Sequence, residues 1–189
     1  MQFVLFALDE QRYALTLCSV ERVARVVDVT PLPKAPGIVL GVVNAGGDIV
    51  PVFDLRQRFR LPQREIILSD QLIIARTSQQ RVALVVDSAS DVVDVPAEKI
   101  ITAGKILPEM EYVNGVVKLQ DGLVLIHDLD EFLSSEEEKH LDEASSALDP
   151  NGYPAPRHGW PGAHTHTQIR PANARYQDNR AHRLCHERR

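Results

Sequence analysis

The chain has 189 residues, 44% of them hydrophobic and only 5% aromatic, which is room for one domain or two small ones around an aliphatic core. Its formal net charge of −5 is unevenly spread: from Pro150 onward seven arginines face only Asp178 and Glu187, a net of +5, so the first 149 residues carry −10. An acidic body repels phosphate and argues against a nucleic-acid surface there, and no apolar run approaches the roughly 20 residues needed to cross a bilayer.

Cys18 and Cys185 are too few for a disulfide framework, which fits a reducing, cytoplasmic setting. The start, MQFVLFALDE, lacks a basic leader region and reads directly as a strand, not as a signal peptide. Phe3–Leu8 and Tyr13–Leu17 alternate as strands around an Asp9-Glu10-Gln11 turn, and Val23–Val27 is a third strand. Thr30–Pro36 is a proline-rich extended connector. Gly37–Leu55, GIVLGVVNAGGDIVPVFDL, is a hairpin: a β-branched strand, a turn at Asn44-Ala45-Gly46-Gly47, and a return strand in which Pro51 marks an edge or a bulge. Asp54 and Gln57 fit a capping box opening a short helix from Leu55 to about Phe59.

A second set of elements follows: strands at Leu72–Arg76, Val82–Val86 and Asp91–Val95, an irregular connector over Ala97–Glu111, a second hairpin at Val113–Leu119 and Leu123–His127, and a helix over Leu129–Ala144. The two sets match. Gly41, Val42, Val43, Val50, Asp54 and Leu55 recur 74 residues later as Gly115, Val116, Val117, Val124, Asp128 and Leu129. Arg12, Ala14, Leu15, Ser19 and Val23 recur 69 residues later as Arg81, Ala83, Leu84, Ser88 and Val92. This internal duplication predicts an all-β fold with a C-terminal helix: two small five-stranded β-barrels packed side by side over residues 1–144. Residues 145–189 lack periodicity and an apolar cluster, and read as a disordered basic tail.

Candidate chemistry is sparse. No nucleophile motif, phosphate loop or spaced metal-ligand set occurs, so no catalytic residue, cofactor or metal is expected. His127 ends a strand where the first copy has Phe53, which predicts a packed ring. Asp87, Asp91 and Asp94 form an acidic cluster broken by strand valines and read as a solvated face. His164, His166, Cys185 and His186 offer only adventitious metal binding. Cys18 is a small hydrophobe or, by its counterpart Asp87, a partly exposed residue. Two barrels without a catalytic constellation point to a protein that binds proteins.

Gly41-Val42-Val43-Asn44, Gly47, Val50 through Arg56, Val85-Val86-Asp87 with Asp91-Val92, and Gly115–Leu129, in this order, resemble the CheW-type chemotaxis coupling proteins over about Gln2–Leu133. The resemblance implies two SH3-like barrels and a non-catalytic cytoplasmic scaffold. It would join methyl-accepting chemoreceptors to the regulatory domain of the histidine kinase CheA, in arrays with other coupling proteins and without direct membrane insertion. It also implies a receptor side at Gly41, Val43, Asn44, Gly46, Gly47, Val86 and Asp87, and a kinase side at Val20, Arg22 and Val23. The family turn usually reads Asn-Leu-Arg-Gly. Here the arginine is replaced by Gly46, and Asp48 adds a negative charge, so an arginine restored at 46 is expected to favour an acidic receptor tip. Two alternatives remain open at this stage: a non-flagellar chemosensory pathway controlling pili or a second messenger, and a nucleic-acid-binding β-barrel favoured only by the basic tail.

Overall fold

The computed structural model describes residues 1–33, 35–102, 112–120 and 122–131. Among these residues eleven strands run in chain order: β1 (Gln2–Leu8), β2 (Gln11–Thr16), β3 (Val20–Arg25), β4 (Val39–Ala45), β5 (Asp48–Asp54), β6 (Gln71–Arg76), β7 (Arg81–Val86), β8 (Ser88–Asp94), β9 (Ile100–Thr102), β10 (Val113–Leu119) and β11 (Gly122–His127). Among the described residues a short helix, α1 (Leu55–Arg58), follows β5, and 3-10 turns occupy Leu17–Ser19 and Ala97–Lys99. β9 falls inside the expected irregular connector; three residues are too few to show a period. The expected helix over Leu129–Ala144 lies outside the described residues except for its first three, which form a bend and a turn. The tail lies wholly outside them.

The strands form two sheets, not one per copy. One has the order β8-β1-β2-β11-β10-β9 and the other β3-β6-β7-β5-β4. Each sequence copy therefore lends its first hairpin to the other's sheet: β1-β2 joins β8, β10 and β11, while β6-β7 joins β3, β4 and β5. The pairing rules match on both sides. β1 is antiparallel to β8 as β6 is to β3, and β2 is parallel to β11 as β7 is to β5. This exchange corrects the expectation of two self-contained five-stranded barrels.

Neither sheet is closed by a ladder among the described residues, yet both are rolled. β8 ends at Asp94 on one edge and β9 begins at Ile100 on the other. A flat six-stranded sheet would hold those edges about 24 Å apart. The linking residues span at most about 21 Å fully extended, and the 3-10 turn shortens them. In the other sheet β3 ends at Arg25, and five residues later Thr30 makes an isolated bridge to Val42 on the far edge. Side-chain alternation follows from the rolling. Phe3 and Leu5 of β1 enter an inner core with Ala14, Val117, Val124 and Ile126. Val43, Val50, Val52, Leu72, Ile74 and Ala83 fill the other roll. The opposite faces, with Val4, Phe6, Leu8, Leu15, Ile73, Leu84 and Val86, form a third core between the sheets. Each such aliphatic side chain contributes roughly 1.5–3 kcal/mol when fully buried.

Two local expectations are corrected. Pro51 sits in β5, between β4 and β7 rather than at an edge. Val42, its antiparallel partner, turns its N–H and C=O to Thr30 at 2.8 and 2.9 Å. Pro51 therefore faces β7, where the ladder starts only at Val52, so its missing donor leaves no gap. Asp54 caps α1 by accepting from the N–H groups of Arg56 at 2.8 Å and Gln57 at 3.3 Å. Its own N–H goes to Ile38 O at 2.9 Å, so half of the capping box is replaced by a tertiary bond. Cys18, expected as a small hydrophobe or a partly exposed residue, is exposed.

Gly41 and its repeat Gly115 hold the places where the chain leaving the opposite sheet edge crosses. A Cβ on Gly41 would lie 2.2 Å from Thr30 O, and one on Gly115 would lie 2.9 Å from Ile101 O. Gly41→Ala is expected to destabilise the fold by about 2 kcal/mol, through overpacking against backbone and a φ of +153°. Urea unfolding checks this; an unchanged midpoint would show that the Thr30 connector gives way freely.

Candidate functional site

Two polar assemblies organise the surface. The first lies at the β4–β5 hairpin. Ala45 pairs with Asp48, leaving Gly46 and Gly47 as a two-residue loop with φ of +76° and +100°. Both left-handed values fit a type I′ turn, which only residues without a Cβ adopt freely. Asn44 Oδ1 accepts from the Gly47 N–H at 2.9 Å and stiffens the loop. Arg81, at the start of β7, donates from Nη1 to Asp48 Oδ2 at 2.5 Å and to Ala45 O at 3.4 Å. Its Nε and Nη2 donate to Glu21 Oε2 on β3 at 2.9 and 2.7 Å. One guanidinium thus joins the hairpin tip to β3. Burial alone would raise the Glu21 carboxyl, but the Arg81 and Arg76 bonds and charges hold it below the usual range. Asp48 is paired in this way, which corrects the expectation of an unbalanced charge beside the turn.

The second assembly joins the two sheets. Arg56, 7% exposed on α1, donates from Nη1 and Nη2 to both Asp9 oxygens at 3.1 and 2.5 Å, and from Nη2 to Asp87 Oδ2 at 2.9 Å. Asp9 is in the β1–β2 turn, and its N–H donates to Asp87 Oδ2 at 2.7 Å. Asp87 is the residue at which the chain crosses from β7 in one sheet to β8 in the other. Arg64 completes the cluster, donating to Asp87 Oδ1 at 2.5 Å and to both oxygens of Asp70 at 2.7 and 2.8 Å. The hydrogen bonds from Arg56 lower the Asp9 carboxyl. Burial would raise that of Asp70, but Arg64 and the Ile67 N–H lower it.

An aromatic stack lies nearby in the core. Phe6 stacks on Tyr13 with ring centroids 5.4 Å apart, and Tyr13, Phe59 and His127 form a triangle with sides of 4.8, 4.5 and 5.5 Å. His127 is 3% exposed, and its Nδ1 donates to Tyr112 O at 2.7 Å. Burial pushes its imidazole down to about 4, so the ring is neutral at pH 7. A neutral, packed ring at the place of Phe53 is a core residue. Among the described residues no three His, Cys, Asp or Glu side chains come together as metal ligands, and no helix is long and apolar enough to cross a membrane.

Comparison with known proteins bears on what such surfaces are for. Residues 2–137 match the family model of the CheW-like domain. The chain belongs to the CheW-like family. It is 27% identical over 146 residues to the chemotaxis protein CheW of Treponema pallidum, covering 74% of this chain and 86% of that one. It is 29% identical over 148 residues to CheW of Klebsiella aerogenes, covering 77% and 89%. Among solved structures, the scaffolding protein TtCheW of Thermoanaerobacter tengcongensis matches with a TM-score of 0.66 at 27% identity, covering 72% of this chain and 94% of that one.

In this CheW-like chain the residues expected on a receptor side divide by burial. Asn44, Gly46 and Gly47 are exposed at the hairpin tip, and Asp87 is partly exposed in the inter-sheet cluster. Val43 at 5% and Val86 at 0% exposure are core residues, and Gly41 is buried against Thr30. On the expected kinase side, Arg22 is exposed and Val23 half-buried on the edge strand β3, while Val20 is core. Sequence reasoning missed Arg56, Arg64 and Arg81, whose roles depend on partners far along the chain. The recurrence of Arg12 as Arg81 and the place of Arg56 at the end of the Val50–Arg56 motif were the signals available.

The left-handed backbone also revises the expectation for position 46. Gly46→Arg meets no atom within 4 Å of a new Cβ, yet at φ +76° it is strained. It is expected to cost about 1 kcal/mol of stability, seen as a lowered thermal midpoint. An unchanged midpoint would mean that the turn rearranges to accept a side chain.

Proposed function

We propose that this chain is a non-catalytic scaffold of bacterial chemotaxis, holding a methyl-accepting chemoreceptor tip and the regulatory domain of CheA in one complex. The match of residues 2–137 to the CheW-like domain carries this reading, and the likeness to a scaffolding protein supports it. The kinase surface centres on Arg22 and Val23, an edge strand with a free side among the described residues. The receptor surface centres on Asn44, Gly46 and Gly47, with Asp87 at the sheet crossing. Gly41, Val43, Val20 and Val86 shape these surfaces from beneath, and Arg81 keeps the hairpin tip and β3 in fixed relation. The scaffold occupies residues 1–144 and works in the cytoplasm within receptor arrays; residues 145–189 are dispensable for both contacts.

Val23→Asp places an unpaired carboxylate in the proposed kinase contact. It is expected to weaken binding to the CheA regulatory domain by about 2 kcal/mol while leaving binding to a receptor fragment unchanged. Arg22→Glu, at an exposed position, is the companion variant that leaves the core intact. Calorimetric titrations against both partners decide it; undiminished kinase binding by folded forms of both variants would remove β3 from the kinase surface.

A further inference from the structure

The connector between α1 and β6 displays three aliphatic residues in succession: Ile66, Ile67 and Leu68 are 38%, 53% and 88% exposed. Single exposed leucines are ordinary, but a run of three at one tip, outside the three cores, marks a contact surface. The tip is held in shape. Asp70, only 1% exposed, accepts from Arg64 through both oxygens at 2.7 and 2.8 Å and from the Ile67 N–H at 2.9 Å. The Asp70 N–H returns to Ile67 O at 3.0 Å, and Asp70 O accepts from Val26 N–H at 3.0 Å. A loop shaped before binding loses little conformational entropy when it docks. Beside it a cleft with Ile66, Leu40 and Val85 on its walls extends the apolar surface and ends on Asp54, Asp70 and Asp87, the last two paired with the Arg56 and Arg64 that also line it.

We propose that this loop and cleft dock an amphipathic helical segment of a partner protein whose aliphatic stripe is flanked by lysine or arginine. Charge selects this occupant. Around the loop and cleft the carboxylates of Asp9, Asp54, Asp70, Asp87 and the exposed Glu65 outnumber Arg56, Arg64 and the exposed Arg60 of the same connector by two charges. A second copy would bring its own acidic body, −10 over the first 149 residues, against this rim and be repelled. A nucleic acid is excluded on the same ground and offers nothing to the aliphatic tip. A helix presents side chains at i, i+3, i+4 and i+7 in a stripe that matches such a knob and cleft. This proposal stands apart from the scaffold reading and uses none of its assigned surface residues except Asp87 at the cleft margin.

The test uses the full chain and a fluorescein-labelled helical peptide of about 18 residues, with leucine on one face and lysine on the other. Its counterpart has glutamate for lysine. Anisotropy titrations at about 0.15 M salt compare the parent chain, Leu68→Ser, the double variant Ile67→Ser with Leu68→Ser, and Val92→Ser. Val92 is an apolar control, 52% exposed on β8. The lysine peptide is expected to bind parent and Val92→Ser alike, to lose about tenfold in affinity on Leu68→Ser and more on the double variant, and the glutamate peptide to bind none. Leu68→Ser alone keeps the test decisive should the double variant unfold. Equal binding of the lysine peptide to parent and Leu68→Ser, or equal binding of both peptides, overturns the proposal. Self-association of the parent that the loop variants abolish would also overturn it, assigning the loop to a second copy.

Discussion

Replacing Arg56 by methionine is expected to lower the unfolding free energy by about 3 kcal/mol at neutral pH. Arg56 is 7% exposed and carries the side-chain contacts of α1 to Asp9 and Asp87. Methionine keeps the aliphatic stem but leaves two carboxylates facing each other without the cation between them. The loss stays at the lower end for a broken buried pair because the Asp9 side chain, 48% exposed, retains water. Lysine at 56 is expected to recover only part of it, since a point charge cannot fork between two carboxylates. Adding Asp9→Asn to Arg56→Met should restore much of the stability, because Asp9 is the carboxylate left without a cation while Asp87 keeps Arg64. Hydrogen exchange in the β1–β2 turn and around Asp87 should quicken in the single variant. A loss below about 0.5 kcal/mol would place the cluster among surface ion pairs of little consequence.

Acid is expected to destabilise the protein well above the carboxylate range. His127 titrates near 4 when folded, against an ordinary 6.5. The unfolded chain therefore binds the extra proton first, and stability falls as pH drops from about 6.5 towards 4. The full effect is about 3 kcal/mol, present above the ordinary histidine value and lost through the folded one. The carboxylates of Asp9, Asp70 and Glu21 are also lowered, but their contribution disappears only below their ordinary values of 3.8 and 4.5. The two windows separate. His127→Phe, which places at 127 the ring found at Phe53 in the first copy, should flatten the slope between pH 6.5 and 4.5 and leave the steeper acid limb. Urea unfolding across this range measures it. A slope that survives His127→Phe would assign the acid sensitivity to another group.

Much of the strand content was readable because its signals are local. The alternation of β1, β2, β6 and β7, the Gly46-Gly47 turn and the Asp54 cap each depend on a few adjacent residues. The recurrence of Gly41 as Gly115 was visible, and close backbone approach explains it in both places. The exchange of hairpins between the two copies was not readable. Antiparallel partners for β1 lie near residue 90, and no periodicity says which of two similar β-units a hairpin joins. Pro51 misled for a related reason: its orientation depends on Val42 pairing with Thr30. Among the candidate site residues, exposure sorted Asn44, Gly46, Gly47 and Arg22 from Val20, Val43 and Val86, which alternate inward on their strands. The ion pairs of Arg56 and Arg81 join residues 31 to 60 positions apart and become visible only once the sheets are assembled.

The central claim is that two separate surfaces of one chain hold receptor and kinase together. Sedimentation velocity of the full chain with a chemoreceptor cytoplasmic fragment and the CheA regulatory domain tests it most directly. The account predicts a ternary species larger than either binary complex, lost with Val23→Asp through the kinase arm alone. Mutually exclusive binding of the two partners, or binding of neither, would contradict it.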